Sequence, residues 1–449
     1  MLRSRPALIW VALLLVYTVI SAVRYKDARQ EARPYEPGHI AKALAAGHGF
    51  SYPTPQEWFF LPHSGDTTEY RPTAWQEPVW PAVIAVAYRA VPDPERARDA
   101  LIALHVLLLI ATAPALLLLA RSLFGPKLGT AAGLIAGTIL VLLSDVEAGV
   151  FESIKSQYLI GLEVVLACWM LVEARRRPTP ARGATLGAFL GLTALTGSAT
   201  VLMAPLAAAA LFKARKTAAV LLCAWAAVIL PWSARNYSTF GELVPIRTGF
   251  GLILMSGNPI LAQTLEPDKG GCPGFRQPLF VARNAWDAVS RAVLPENAKR
   301  LDSRPVQCGA RDLHDRYFAM NEAERDHYWS ADAWRFIGAE PRLAAELALA
   351  KIGRFFLLTG SFAALISIAA FVGLGLSARM ASAVAVFIAS VSQAVPYVLS
   401  VPYSYRYRYP LDPVLLLFGA YAIVVLATRV RRASLPVLET RWPSPSKRV

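Results

Sequence analysis

Cysteine and histidine are scarce in this chain, four of one and six of the other among 449 residues. None falls at metal-ligand spacing: His39 and His48 stand too far apart for one helical turn, and His314 and His327 stand alone. No zinc-site spacing is visible among these side chains. No cofactor is called for, and dependence on a divalent metal stays open. Charge is also sparse, at 17% of residues, and acids are outnumbered by bases, 31 to 46. What is abundant is apolar: 55% of residues are hydrophobic and the mean hydropathy is +0.40, more than the core of a soluble domain requires. The solvent this composition fits is a bilayer. The net charge of +15 is not gathered on one soluble face, so a nucleic-acid partner is excluded.

The first apolar run, Ala7 to Val23, follows Arg3 and Arg5 and is long enough to cross a hydrocarbon core. No small-residue cleavage site follows it, so it reads as a retained membrane helix rather than a signal peptide. Further runs lie near 100–120, 128–145, 157–173, 184–212, 217–232, 356–376, 381–398 and 413–428. The run 184–212 is too long for one crossing and lies between two basic clusters, RRRPTPAR and KARK, that belong on the same side. Two short helices with a turn near Thr196 to Ser198 satisfy both facts, making about ten crossings in all.

The expected fold is an all-α polytopic membrane bundle. With the N-terminus inside, the segments RSRP, RSLFGPK, EARRRPTPAR, KARK, SARM and RVRR are all cytoplasmic, and each carries Lys or Arg. Both termini are then cytoplasmic, the membrane module covers 1–430 and a tail covers 431–449. Two long segments, 24–99 and 233–354, are exported on the opposite face. Cys168 and Cys223 fall in membrane helices as packing residues. Cys272 and Cys308 fall in the second exported segment, 36 positions apart, where an oxidising compartment permits a disulfide; two reduced thiols are the other option.

The first exported segment contains YEPGHIAKALAAGHGFS. Pro37 suits a first helical position and Gly47 the position after a helix end. Ile40, Ala41 and Leu44 share one side of this short helix, which should lie in the interface plane. Glu36 sits at its amino end, where the peptide dipole favours a carboxylate. Two roles are open to it, a helix-capping charge and a general base. A second short apolar stretch, Val79 to Val91, carries Pro81, and counting it as a span would reverse every later loop. It reads as a second interfacial helix, with Trp75 and Trp80 suited to the headgroup zone.

These segments resemble a known family. The motifs E-x-x-x-I-A-x-x-L-x-x-G-x-G-F-S and P-T-A-W-x-x-P-x-x-P, after one membrane helix, resemble the GT-C glycosyltransferases, above all bacterial family 39 members. Those members are similar to the dolichyl-phosphate-mannose protein mannosyltransferases and the lipid A aminoarabinose transferase. LPWSARNYSTFGELVPIRTGFGLILMSGNP, MNEAERDHYWSADAWRFIGAEP and YRYRYPLDP match further family segments in the same order. The resemblance covers nearly the whole chain.

It implies an enzyme of the bacterial inner (plasma) membrane that moves a sugar from a polyprenyl-phosphate donor to a lipid, glycan or protein acceptor on the extracytoplasmic side, with inversion. A poor hydroxyl nucleophile needs a carboxylate to take its proton, and Glu36 matches the family position. Many relatives carry an Asp-Glu pair there and this chain has R-P-Y-E-P, so Asp27, Glu31 and Glu69 compete for the role. The leaving phosphate needs fixed cations. Arg406 and Arg408 alternate before Pro410, facing one way in an extended segment, and their forked guanidinium groups suit phosphate. The same pair also suits a basic, aromatic anchor at anionic headgroups. Lys155 and Arg235 are further phosphate candidates. His39, Tyr70, Trp75 and Asn258 are candidates for the sugar or acceptor cavity, although Gly257 to Pro259 also reads as a turn. Two other readings stand beside this one: a lipid-linked saccharide flippase, and an inactive relative serving as a partner.

Overall fold

The computed structural model describes residues 5–24, 35–53, 70–146, 154–256, 320–339, 341–357, 361–400 and 407–434. The candidates Asp27, Glu31, Glu69, Asn258, Cys272, Cys308 and Arg406 lie outside them.

The first apolar run forms α1 (Arg5–Arg24), whose Trp10 indole donates to Thr138 at 2.9 Å. Two short helices follow, α2 (Tyr35–Ala45) and α3 (Val79–Ala90), separated by a small hairpin of β1 (Ser51–Pro53) and β2 (Tyr70–Pro72). The strands are antiparallel, with Tyr52 opposite Arg71. Pro81 falls in the first turn of α3, where an N–H lacks a helical partner anyway. The helix therefore keeps its register and buries Trp80, Pro81, Ile84 and Ala85.

The long helix α4 (Pro94–Phe124) begins earlier than its apolar run because Asp93 caps it, accepting from the Arg96 N–H at 2.8 Å, with Pro94 just inside. Then come α5 (Pro126–Val146), α6 (Gln157–Arg176) and α7 (Pro180–Thr196). The expected turn in the overlong run is present: α7 stops at Thr196 and a 3-10 turn, Ser198–Leu202, leads into α8 (Met203–Ala210). After α9 (Arg215–Phe240), the short α10 (Phe250–Ser256) and α11 (Glu322–Ala339) belong to the second long segment, followed by α12 (Pro341–Leu357) and α13 (Ser361–Ser377).

The run near 381–398 departs from a single helix. It divides into α14 (Ala381–Val391), a 3-10 turn at Ser392–Ala394 and α15 (Val395–Ser400). Pro396 explains the break, because it brings no N–H to the Ser392 carbonyl and its ring crowds that oxygen. The chain closes with α16 (Asp412–Ser434).

Among the described residues, five stretches are long and apolar enough to cross a membrane: Pro94–Phe124, Gln157–Arg176, Arg215–Phe240, Ala381–Leu399 and Asp412–Arg431. The described apolar stretches at other expected crossings are shorter, Leu8–Ile20, Pro126–Leu142, Ser198–Ala210 and Ala364–Ser377. Lipid offers helices no hydrophobic drive to associate, so close approach of backbones carries the packing. Gly129, Gly133 and Gly137 on α5 let α4 approach, and Gly183, Gly187 and Gly191 on α7 do the same for α9. Aromatics fill the junction of α4, α14 and α16, where Phe124 stacks on Tyr421 at 3.9 Å and Phe418 meets Phe387 edge-on at 5.2 Å.

The bundle interior is not wholly apolar. Glu163 of α6 is 5% exposed and Gln393 1%, and Glu163 accepts from the Thr196 hydroxyl at 3.1 Å where α7 ends.

Candidate active site

The first loop is folded around α2. Glu36 lies in its first turn, and His39, three residues on, shares its side of the helix. Ile40, Ala41 and Ala43 are fully buried. Gly47, at φ +87°, turns the chain out of the helix, and the His48 N–H donates to the Ala43 carbonyl at 3.0 Å. Arg89 of α3 closes the same end, donating to the Leu44 and Ala45 carbonyls at 2.9 and 3.3 Å. These contacts lock the two short helices together.

The hairpin then carries Tyr52 back against α2, its ring 5.7 Å from that of His39. Burial, with Lys42, draws His39 below its ordinary range against the pull of Glu36. Burial, then the charge of Glu36, pushes the Tyr52 phenol up. A neutral imidazole and a protonated phenol thus stand beside the Glu36 carboxyl. Further along the hairpin, Tyr70 stacks on His48 at 3.8 Å.

A second cluster joins the two long segments. Glu322, at the start of α11, accepts from the Thr73 hydroxyl at 2.7 Å, from the Ala74 N–H at 2.9 Å and from the Thr248 hydroxyl. Asn321 and Glu324 form a reciprocal capping box that fixes this helix end, with 2.9 and 3.0 Å bonds to the Asn321 side chain and 2.6 Å back to its N–H. Glu77 accepts from the Ser198 N–H at 3.0 Å and its hydroxyl at 2.6 Å, and faces Arg247 at 3.5 Å. The upward push of burial on Glu77 is outweighed by Arg247 and the two Ser198 bonds, which hold it below its ordinary range. Arg247 lies over Trp75 at 5.7 Å. A Cβ on Gly249 would come within 2.8 Å of the same indole, so Trp75 is packed into the clasp.

The phosphate candidates separate into different places. Arg235 donates to the Thr73 and Phe50 carbonyls at 2.7 and 2.8 Å and lies over Trp232 at 5.0 Å, tying α9 to the hairpin. Asn236 beside it is fully buried, with its amide on the Val244 carbonyl at 3.0 Å, so Asn236-Tyr-Ser presents no acceptor for glycosylation. Arg408 departs from the open, phosphate-facing placement that an extended segment implies. It is 0% exposed, donating to Asp412 at 2.6 Å and to the Phe355 and Phe356 carbonyls at 3.4 and 3.2 Å. The cause is local: residues 407–411 tighten into turns that lead into α16, so Asp412 lies one turn from Arg408.

Lys155 has its carbonyl 2.8 Å from His105. Its neighbourhood is tied to the Arg408 segment through Tyr158, whose ring lies 4.6 Å from that of Tyr409. The structure thus brings Glu36 and His39 together on α2, while Trp75 packs with Arg247, Arg235 with the hairpin carbonyls and Arg408 with Asp412. Sequence reasoning passed over Tyr52, Glu77, Arg247 and Glu322. Glu77 stands inside the P-T-A-W-x-x-P motif and Glu322 at a visible helix start, but their partners are far away in sequence. Among the described residues no group of three or more His, Cys, Asp and Glu is placed to hold a metal.

No protein-family model and no curated protein matches the chain. Solved structures do, and what they share with this chain is its fold. The archaeal oligosaccharyltransferase AglB from Archaeoglobus fulgidus, in complex with an inhibitory peptide and a dolichol-phosphate, superposes with a TM-score of 0.50 at 13% identity, over 98% of this chain and 53% of its own. The oligosaccharyltransferase of the same organism tethered to an acceptor peptide gives 0.50 and 13%, over 94% and 50%. The chain therefore spans about half the length of these enzymes. ArnT from Cupriavidus metallidurans, bound to undecaprenyl phosphate, matches over 97% of this chain and 81% of its own at 15% identity, with a TM-score of only 0.34.

Proposed function

We propose that this chain is a membrane glycosyltransferase that moves a sugar from a polyprenyl-phosphate donor to a hydroxyl-bearing lipid, glycan or protein acceptor. The observation that carries the reading is Glu36 at the start of an interfacial helix, grouped with His39 and Tyr52, on a GT-C-type fold. In this reading Glu36 takes the acceptor proton as the new bond to the anomeric carbon forms. The bond from that carbon to the phosphate oxygen breaks on the opposite face, inverting the centre. The lipid phosphate leaves with the bonding pair, and Lys155 and Arg406 are the cations assigned to it. Arg235 and Arg408 are assigned to holding the surrounding segments, because their donors are already engaged by carbonyls and Asp412.

The reading places the protein in the bacterial inner membrane with both termini in the cytoplasm and the site on the extracytoplasmic face. Purified protein supplied with radiolabelled polyprenyl-phosphate sugars and envelope acceptors tests it. Glu36→Gln is expected to lose about 10²- to 10⁴-fold in transfer. Unchanged transfer removes Glu36 as base and returns the role to Asp27, Glu31 or Glu69. A chelator arm reads whether a divalent cation assists. Lipid movement across vesicles without transfer replaces this reading with a flippase.

A further inference from the structure

Tyr52 is 5% exposed, and its hydroxyl is buried with no hydrogen-bond partner among the described residues. Its backbone is held by the pairing of β1 with β2 and by α2 against its strand, and the His39 ring lies against its own. Buried hydroxyls in folded proteins are nearly always paired, so an orphan next to a candidate base points to a partner that arrives with a ligand. The charges around it choose the ligand atom. Burial, and then the charge of Glu36, keeps the phenol protonated, so its O–H is available to donate. His39 is held neutral, so it brings no positive charge to offset Glu36 there. In the proposed transfer the phosphate leaves on the face away from Glu36, so a donor beside Glu36 meets a neutral hydroxyl oxygen rather than phosphate. Donation to the attacking acceptor oxygen would also withdraw the lone pair needed for bond formation.

We infer that Tyr52 is a positioning residue whose hydroxyl donates a hydrogen bond to a non-reacting hydroxyl of the transferred sugar, holding that ring against Glu36. The inference rests on the glycosyltransferase reading and adds where the sugar sits. It also predicts an unusual pairing of effects: the group that binds ligand is one the empty fold would be better without.

The test is Tyr52→Phe in the full chain. Without ligand its thermal midpoint should equal or exceed that of the unsubstituted protein, because an unpaired polar group is removed. In transfer assays the donor KM should rise roughly 3- to 10-fold, the range expected for one neutral hydrogen bond, with the acceptor KM unchanged. Donors lacking single hydroxyls should include one that costs the unsubstituted protein a similar factor and costs the variant nothing further. A lower midpoint, an unchanged donor KM, or a change confined to the acceptor KM would overturn the assignment. Weakened inhibition of the variant by polyprenyl phosphate without sugar would also overturn it, moving the contact to phosphate. Absence of both transfer and donor binding in the unsubstituted protein is the distinct failure of the parent reading, and the inference falls with it.

Discussion

Glu77 shows how much a single side chain holds in this architecture. It joins the first loop to the turn after α7 through Ser198, and to the second long segment through Arg247. Removing one member of a buried pair leaves the other charge uncompensated, so Glu77→Ala should cost about 3 kcal/mol. Glu77→Gln, which keeps an oxygen for Ser198, should cost less. Because the folded state holds this carboxyl below its unfolded value, its contribution is present above about pH 4.5 and is lost as the pH falls through the lower folded value. Unfolding of the detergent-solubilised protein between pH 6 and 3 checks the sign: the acid loss of stability should be shallower in Glu77→Gln. A stability that rises on acidification would contradict the assigned pairing. The carboxyl stood at an unspecified position of the P-T-A-W-x-x-P motif and was passed over. Its partner was not legible either, since Ser198 lies 121 positions away and a local pattern carries no such distance. Arg408 makes the complementary point, because alternation in YRYRYP implied an extended strand-like presentation, while Pro410 and Asp412 turn the segment into a helix start.

At the scale of elements, the sequence was most legible where physics is local. Apolar length located the membrane helices, Pro37 and Gly47 bracketed α2, and basic flanks forced the turn at Thr196. The break at Ser392–Ala394 was missed although Pro396 stood in plain view, because apolar length alone was read there. A second signal lay in the four-residue spacing of Gly183, Gly187 and Gly191, which fixes how α7 meets α9. A Cβ at Gly187 would collide with the Leu221 carbonyl, and one at Gly191 would come within 2.7 Å of the Val228 side chain. Backbone cannot yield as a side-chain tip can. Gly187→Ala should therefore force the pair apart and cost about 1–3 kcal/mol, read as a lower thermal midpoint. Gly338→Ala, at a position with open space around it, is the control and should leave the midpoint unchanged or raise it, because alanine is the better helix former. Equal effects at the two positions would refute close approach as the determinant.

For the whole molecule, the open question is which face carries the clasp of Glu322, Thr73 and Thr248, and the answer follows from counting. The hydrogen bonds of Glu322 bring the two long segments to one end of the bundle. The connection between α6 and α7, rich in arginine at Arg175, Arg176, Arg177 and Arg182, is separated from that end by a full pass of α7 and of α6. Cytoplasmic loops are enriched in Lys and Arg, so this connection should be inside and the clasp outside. Single cysteines in a background with the four native ones replaced by serine test this directly. Leu243 is 66% exposed in the turn after α9, and Arg177 is exposed between α6 and α7. An impermeant maleimide added to intact cells should label Leu243→Cys and spare Arg177→Cys until the membrane is opened. The reverse pattern would put the clasp in the cytoplasm, where a periplasmic acceptor cannot reach it. Glu36 would then lose its proposed substrate geometry whatever the effect of Glu36→Gln on folding.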